Sequence, residues 1–119
     1  MAEDVSTRGD IWRINLDPTV GSEIKKIRPA VVVSTPIFDK LPVRIIVPLT
    51  TWQAKFANHL NKVHILSSPQ NGLDHDSAAD VVQLRCVSLE RFISRIGVLE
   101  AAVVEEIAAG IAIVVDYQP

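Results

Sequence analysis

Two side chains that can bind a phosphate group stand at the boundaries of apolar segments. Arg28 precedes Pro29 at the start of an apolar run, where a polar loop gives way to a rigid strand. Its guanidinium can hold a phosphate through two parallel hydrogen bonds. Thr50 follows the segment 43–49, and its hydroxyl can donate a hydrogen bond to a phosphate oxygen. Taken alone, Arg28 is also compatible with a surface ion pair, and Thr50 with a turn former.

Basic and aromatic side chains flank these two residues. Lys25 and Lys26 precede Arg28 and are either phosphate contacts or members of a solvated basic turn. Trp52 and Phe56 follow Thr50 and provide either a stacking surface for unpaired bases or part of a protein interface.

The charge of the chain is distributed unevenly along its length. The net charge is −2, which by itself does not favour a nucleic-acid partner. However, residues 1–62 carry nine of the twelve Lys and Arg residues with six acids, whereas residues 63–119 carry three basic and eight acidic residues. A polyanionic partner is therefore expected to contact the N-terminal half, unless the asymmetry reflects solvated surface charge alone.

The three histidines are the first candidates for metal ligands. His59, His64 and His75 lie near Asp74 and Asp76, but no pair has a recognised zinc spacing. The segment 74–76 is typical of a polar loop. The sequence therefore predicts neither a metal site nor a cofactor.

Length and composition indicate one globular domain spanning residues 1–119. The chain is 48% hydrophobic and 22% charged, which is average globular usage. No apolar run approaches the roughly 20 residues needed to cross a bilayer, and residues 1–10 are too polar for a signal peptide. Cys86 is the single cysteine, which agrees with a reducing compartment. We expect a cytoplasmic protein with no membrane partner.

The elements that must position these residues are strands first and a helix last. Residues 11–16 alternate with the period of a half-buried strand, and Asn71-Gly72 is a turn signal. Ser88 followed by Arg91 predicts a single helical turn. The predicted strands are 11–16, 30–34, 43–49, 62–66, 79–87 and 93–98.

Segment 100–115 changes to the helical period and predicts an amphipathic C-terminal helix. Its apolar stripe comprises Val103, Val104, Ile107, Ile111, Val114 and Val115. This stripe is wide enough to serve both the core of the domain and a neighbouring chain, which predicts a homodimer. Short strands followed by one helix predict an α+β fold, a small antiparallel barrel-like domain.

Seven short motifs, in fixed order and spacing, resemble the MazF/PemK/Kid family of toxins of toxin–antitoxin systems. The resemblance covers nearly the whole chain. The motifs are RGDIW at 8–12, LDPTVGSE at 16–23, RPAVVVS at 28–34, VPLTT at 47–51, GL at 72–73 followed by DS at 76–77, QLR at 83–85 and RIGVL at 95–99.

This resemblance implies an SH3-like antiparallel β-barrel, a homodimer and sequence-specific cleavage of single-stranded RNA without the ribosome. Because the 2′-hydroxyl of the RNA is the nucleophile, we expect the cleavage to be metal-independent. It also implies a co-expressed, MazE-like antitoxin, whose acidic C-terminal tail we expect to compete with RNA for the same basic groove.

The resemblance makes Arg28 and Thr50 the expected catalytic pair. RNA supplies its own nucleophile, the 2′-hydroxyl, so the enzyme needs a proton acceptor, a proton donor and stabilisation of the charged phosphorane. Because a guanidinium is effectively always protonated, we interpret Arg28 as a phosphate clamp and proton donor. Glu23 is the candidate acceptor, and its alternative role is a carboxylate that orders its own loop. The residues expected to bind substrate are Ser22, Lys25, Lys26, Thr51, Asp76, Ser77 and Gln83.

Two positions depart from the family pattern. Val82 stands where many relatives carry an acid directly before the residue matching Gln83, so this chain lacks the carboxylate that a mechanism using that acid requires. Asp80, on the same face of the predicted strand, either compensates or is a solvated edge residue. Ser22 stands where some relatives have a histidine, which excludes an imidazole base there.

Two other classes of function remain open. A gyrase-binding toxin of the CcdB type shares the barrel architecture but acts by binding a protein. A non-catalytic relative would keep the fold as a binding module, and Val82 is the sequence feature that favours it.

Overall fold

The alternating and β-branched segments form one antiparallel sheet of seven strands, and a single α-helix follows it. The computed structural model describes residues 6–119, so the first half of the polar segment 1–10, which was judged too polar for a signal peptide, lies outside the described residues. The elements are β1 (Asp10–Asn15), β2 (Ile27–Val32), β3 (Val43–Thr51), β4 (Lys62–Ile65), β5 (Ser77–Asp80), β6 (Arg85–Ser88), β7 (Phe92–Val98) and α1 (Ala101–Val114). Short 3-10 helices lie at Pro36–Phe38, Ala54–Asn58, Val81–Gln83 and Leu89–Arg91.

The strands are ordered β4-β5-β3-β2-β1-β7, and β6 pairs with the first half of the long strand β3. In the described part of the chain, β4 and β7 are edges that do not pair with each other, so strand pairing does not close a barrel. The loop after β4 approaches β7 instead, and the Gln70 carbonyl accepts a hydrogen bond from the Val98 amide at 3.1 Å. The predicted α+β antiparallel fold with a C-terminal helix is confirmed, whereas "barrel" describes it only loosely.

Alternation along the central strands divides the buried side chains between two clusters. Ile11 and Val31 point to the same cluster as Val104 and Ile107 of α1. Trp12 packs in the other cluster, edge-on against Phe92 at a ring-centroid distance of 5.6 Å. Each fully buried aliphatic side chain contributes about 1.5–3 kcal/mol to folding. The predicted helix 100–115 is confirmed with its ends shifted by one residue.

The predicted single strand 79–87 is wrong, because a 3-10 turn interrupts it at Val81–Gln83. Val81 is fully buried, and its side chain packs where Gly110 leaves room on α1, 3.4 Å from the position a Cβ would take. The Val81 amide donates to the Asn61 carbonyl at 3.1 Å. These contacts turn the chain away from β5, and pairing with β3 resumes in β6 at Arg85.

The turn also separates two residues that were expected to share a strand face. Asp80 is buried, and its Oδ2 lies 3.4 Å from the Lys62 Nζ. Val82 is the middle residue of this turn and is exposed. Asp80 is therefore neither a solvated edge residue nor a neighbour that replaces a carboxylate at position 82.

The predicted helical turn after Ser88 is confirmed, since the Ser88 hydroxyl accepts a hydrogen bond from the Glu90 amide at 3.2 Å. Gly72 adopts φ +68° in the predicted turn. Strand β3 extends to Thr51, two residues beyond its predicted end, so Thr50 lies within the sheet. None of the helices between residues 6 and 119 has the length and apolar character of a membrane span.

Candidate active site

A cleft of about 270 Å³ opens over the sheet, between the start of β2, the end of β3 and the loop after Gly72. Its apolar lining residues include Leu49, Leu73 and Ile96. The polar residues that line it are Arg13, Arg28, Thr50, Thr51, Asp74, His75 and Ser77. Arg28 and Thr50, predicted from distant segments, thus face one cavity, together with the predicted Thr51 and Ser77.

The loop before β2 orients Arg28. Lys26 has a left-handed backbone with φ +72°, and its amide donates to Asp17 Oδ1 at 3.1 Å. This backbone conformation points the Lys25 carbonyl toward Arg28, whose Nε donates a hydrogen bond to it at 3.2 Å. Both terminal nitrogens of Arg28 are without a hydrogen bond or ion pair to any residue from 6 to 119. They are free to hold an anion with the two-pronged geometry that a guanidinium allows.

Strand pairing places the two threonines. Thr50 lies opposite Ala78 and Thr51 opposite Ser77 in the β3–β5 register. Neither threonine hydroxyl bonds to another described residue, so both can donate to a ligand. Ser77 is different, because it is buried and its Oγ donates to the His75 carbonyl at 3.1 Å.

Arg13 is a cleft residue that the sequence did not single out. It is exposed on β1, opposite Pro29 in the β1–β2 register, and its guanidinium has no partner within the described chain. A second cation thus stands beside Arg28. The signal was present in the alternation of segment 11–16, which places Arg13 among the polar positions of an otherwise buried strand.

The loop 72–75 also brings Asp74 and His75 to the cleft, although the sequence indicated only a polar loop. Gly72 allows the loop to pack closely against Ile96 of β7. A Cβ at Gly72 would stand 2.4 Å from the Ile96 carbonyl oxygen, and the φ of +68° is one that L side chains rarely adopt.

Glu23 and Gln83 do not join this cleft. They line a second depression of about 360 Å³, together with Val82 and Arg85. The Glu23 Oε1 accepts a hydrogen bond from the Val20 amide at 2.7 Å, which closes the turn 20–23. This contact matches the alternative role of a carboxylate that orders its own loop.

Gln83 uses both ends of its side-chain amide on the loop 22–24. Its Nε2 donates to the Ser22 carbonyl at 3.0 Å, and its Oε1 accepts from the Ile24 amide at 3.2 Å. The exposed residues Ser22, Lys25 and Lys26 lie on the loop that precedes Arg28 and do not line the cleft.

Asp76 and the aromatic residues lie beside the cleft rather than in it. The Trp52 ring stacks on the His64 ring at 3.8 Å, and Phe56 meets Trp52 edge-on at 5.7 Å. Asp76 accepts a hydrogen bond from the Ser67 amide at 2.9 Å and lies 3.7 Å from the His64 Nε2. Between residues 6 and 119, no three His, Cys, Asp or Glu side chains are grouped in a way that would hold a metal ion.

Comparison with known proteins identifies the relatives of this chain. Endoribonuclease MazF9 of Mycobacterium tuberculosis is 35% identical over 105 residues, covering 80% of this chain and 83% of that protein. Endoribonuclease EndoA of Bacillus subtilis is 28% identical over 100 residues, covering 84% and 85%.

Solved structures share the fold. MazF from Deinococcus radiodurans superposes with a TM-score of 0.79 at 18% identity, covering 94% of this chain and 97% of that one. An endoribonuclease from a mycobacterial species, solved in complex with its cognate antitoxin, gives 0.75 at 15% identity, covering 97% and 99%. Residues 7–115 match the family described as PemK-like, MazF-like toxins of type II toxin–antitoxin systems. The chain therefore belongs to the PemK-like, MazF-like toxin family.

Proposed function

We propose that this chain is an endoribonuclease that cleaves single-stranded RNA, acting as the toxin of a type II toxin–antitoxin pair. The observation that carries the proposal is the convergence of Arg28 and Thr50 on one cleft, with the terminal guanidinium nitrogens and the hydroxyl unpaired among the described residues. The names of the relatives MazF9 and EndoA, both endoribonucleases, support the same reaction.

The cleft contains hydrogen-bond donors that RNA cleavage by the 2′-hydroxyl requires. The 2′-oxygen of the substrate forms a bond to the adjacent phosphorus, and the bond to the 5′-oxygen breaks. Arg28 and Thr50 donate hydrogen bonds to the phosphoryl oxygens, where negative charge accumulates in the transition state. Because the nucleophile belongs to the RNA, no metal-activated water is needed for this step.

The expected partners follow from the same surface. Arg13 and Arg28 give the cleft two cations against the single carboxylate of Asp74, which suits an RNA backbone or the acidic tail of a MazE-like antitoxin. Exposed apolar residues at the end of α1 and directly after it, including Ile113 and Val115, support a homodimer. Action on RNA beside a co-expressed antitoxin implies a cytoplasmic location.

A cleavage assay on a defined single-stranded RNA in excess chelator tests the proposal. We expect fragments ending in a 2′,3′-cyclic phosphate and beginning with a 5′-hydroxyl, and mapping the new 5′ ends identifies the cleavage motif. Arg28→Ala and Thr50→Val should each lose about 100-fold or more in rate, the usual cost of one transition-state donor. Lys40→Ala, an exposed cation outside the cleft, is the matched control.

Three results would contradict the proposal. Strict dependence on magnesium would overturn the metal-free step. A folded protein that leaves RNA intact but binds gyrase would support a CcdB-like toxin, and one that only binds RNA would support a non-catalytic relative.

A further inference from the structure

The proposed reaction needs a group that takes the proton of the 2′-hydroxyl, and the residues expected for that task are engaged elsewhere. Arg28 is effectively always protonated. The Glu23 Oε1 accepts a hydrogen bond from the Val20 amide, and Glu23 lines the second depression rather than the cleft. Asp80 is buried against Lys62, and Val82 has no proton-accepting group. The acceptor must therefore be sought among the residues of the cleft itself.

His75 has the properties that the step requires. It lines the cleft with Arg28 and Thr50, is exposed, and forms no side-chain hydrogen bond or ion pair with any other residue that the structure describes. Its backbone is held in place, because its carbonyl accepts the Ser77 hydroxyl at 3.1 Å. Imidazole is the side chain that exchanges a proton near neutral pH.

We propose that His75 is the proton acceptor of the cleavage step, an assignment that rests on the proposed function. The neutral imidazole takes the 2′-hydroxyl proton as the 2′-oxygen bonds to phosphorus. The phosphorus–5′-oxygen bond then breaks, and the departing oxygen takes a proton from water. The imidazolium returns its proton to water, which regenerates the enzyme.

The charged groups around His75 come from three elements. Asp74 precedes it on the same loop, Arg13 lies on β1 and Arg28 on β2. The residues that β3 and β7 contribute to the cleft, Thr50 and Ile96 among them, carry no charge. Asp74 is therefore the competing acceptor that a test has to separate.

The test is the pH dependence of kcat/KM for RNA cleavage between about pH 5 and 8, the range in which histidine titrates. The unaltered chain should become more active as pH rises through this range, because the acceptor must be neutral. His75→Gln should be at least about 100-fold slower and lose this rise, a typical loss for a general base. His75→Lys should be equally slow, because it restores a cation but not an acceptor.

Binding is measured in parallel with an RNA carrying 2′-O-methyl groups, which cannot be cleaved. His75→Gln should bind this RNA as the unaltered chain does, so that the loss falls on kcat. His59→Gln, an exposed histidine outside the cleft, should behave like the unaltered chain in both measurements.

Four outcomes would overturn the assignment. If His75→Lys stays active, the imidazole serves as a cation and not as an acceptor. If Asp74→Asn, and not His75→Gln, removes the rise with pH, the carboxylate is the acceptor. Full activity of His75→Gln overturns the assignment but leaves the proposed function intact, whereas absence of cleavage by the unaltered chain overturns both.

Discussion

Gln83 holds Ser22 across 61 positions of the chain, its Nε2 donating to the Ser22 carbonyl oxygen at 3.0 Å. The other end of the same amide accepts from Ile24 at 3.2 Å. The Gln83 side chain thus fixes the backbone on both sides of Glu23. These two contacts also hold the loop that leads to Arg28. The position of Arg28 depends on the turn after β5 as well as on its own strand.

Gln83→Ala should loosen this loop. Each lost hydrogen bond contributes about 0.5–1.5 kcal/mol, so we expect the Ile24 amide to exchange with solvent about tenfold faster. Cleavage should slow as well, because Arg28 loses part of its support. Hydrogen exchange followed by NMR provides the measurement, and Val82→Ala is the exposed neighbouring control. Unchanged exchange at Ile24 would show that the loop is held by other contacts.

Arg28→Lys should lose most of the cleavage activity despite keeping the positive charge. Lysine offers a point charge, whereas arginine binds the phosphate with two parallel hydrogen bonds. A loss of about 100-fold in the single-turnover rate is expected for a transition-state donor. The variant should unfold at the temperature of the unaltered chain, which separates the effect from misfolding. Near-normal cleavage would rule out the two-pronged clamp.

Arg13→Gln should weaken RNA binding and reduce its dependence on salt. If Arg13 neutralises one phosphate, the slope of log affinity against log salt should fall by about 0.7 for a single strand. Arg13→Lys should keep the slope, because the charge remains. Titrations of the non-cleavable RNA at several salt concentrations give both values. If Arg13→Gln leaves the slope of log affinity against log salt unaltered, the phosphate backbone of the RNA does not contact Arg13 on β1.

Gly72→Ala should destabilise the fold more than Gly21→Ala. Both glycines have positive φ, and that conformation alone costs a non-glycine residue about 1–2 kcal/mol. A Cβ at Gly21 meets nothing within 4 Å, whereas at Gly72 it stands 2.4 Å from the Ile96 carbonyl oxygen. Chemical denaturation of both variants isolates the steric contribution. Equal losses would show that the loop moves away from β7 without cost.

An acidic antitoxin peptide and the non-cleavable RNA should compete for the cleft. Both are polyanions, and the cations available to them there are Arg13 and Arg28. Each should displace the other in a titration, and both affinities should fall as salt rises. Simultaneous binding without displacement would show that inhibition acts from another surface.

The sequence alone was sufficient for features that depend on neighbours along the chain. Alternation over 11–16 predicted β1, and the helical period of 100–115 predicted α1, because both patterns express which face of a local element is buried. The motifs that contain Arg28, Thr50, Thr51 and Ser77 were enough to predict four cleft residues and the family.

Contacts between distant segments decided the rest. The 3-10 turn at Val81–Gln83 depends on packing against α1, about thirty residues later, which no local period encodes. The loop 72–75 reaches the cleft because Gly72 packs on β7, and Glu23 is drawn into its own turn by Val20. Local periodicity specifies which face of an element is buried, but register and loop packing specify which side chains meet. For that reason Arg13 and His75 could be placed beside Arg28 only by the tertiary structure.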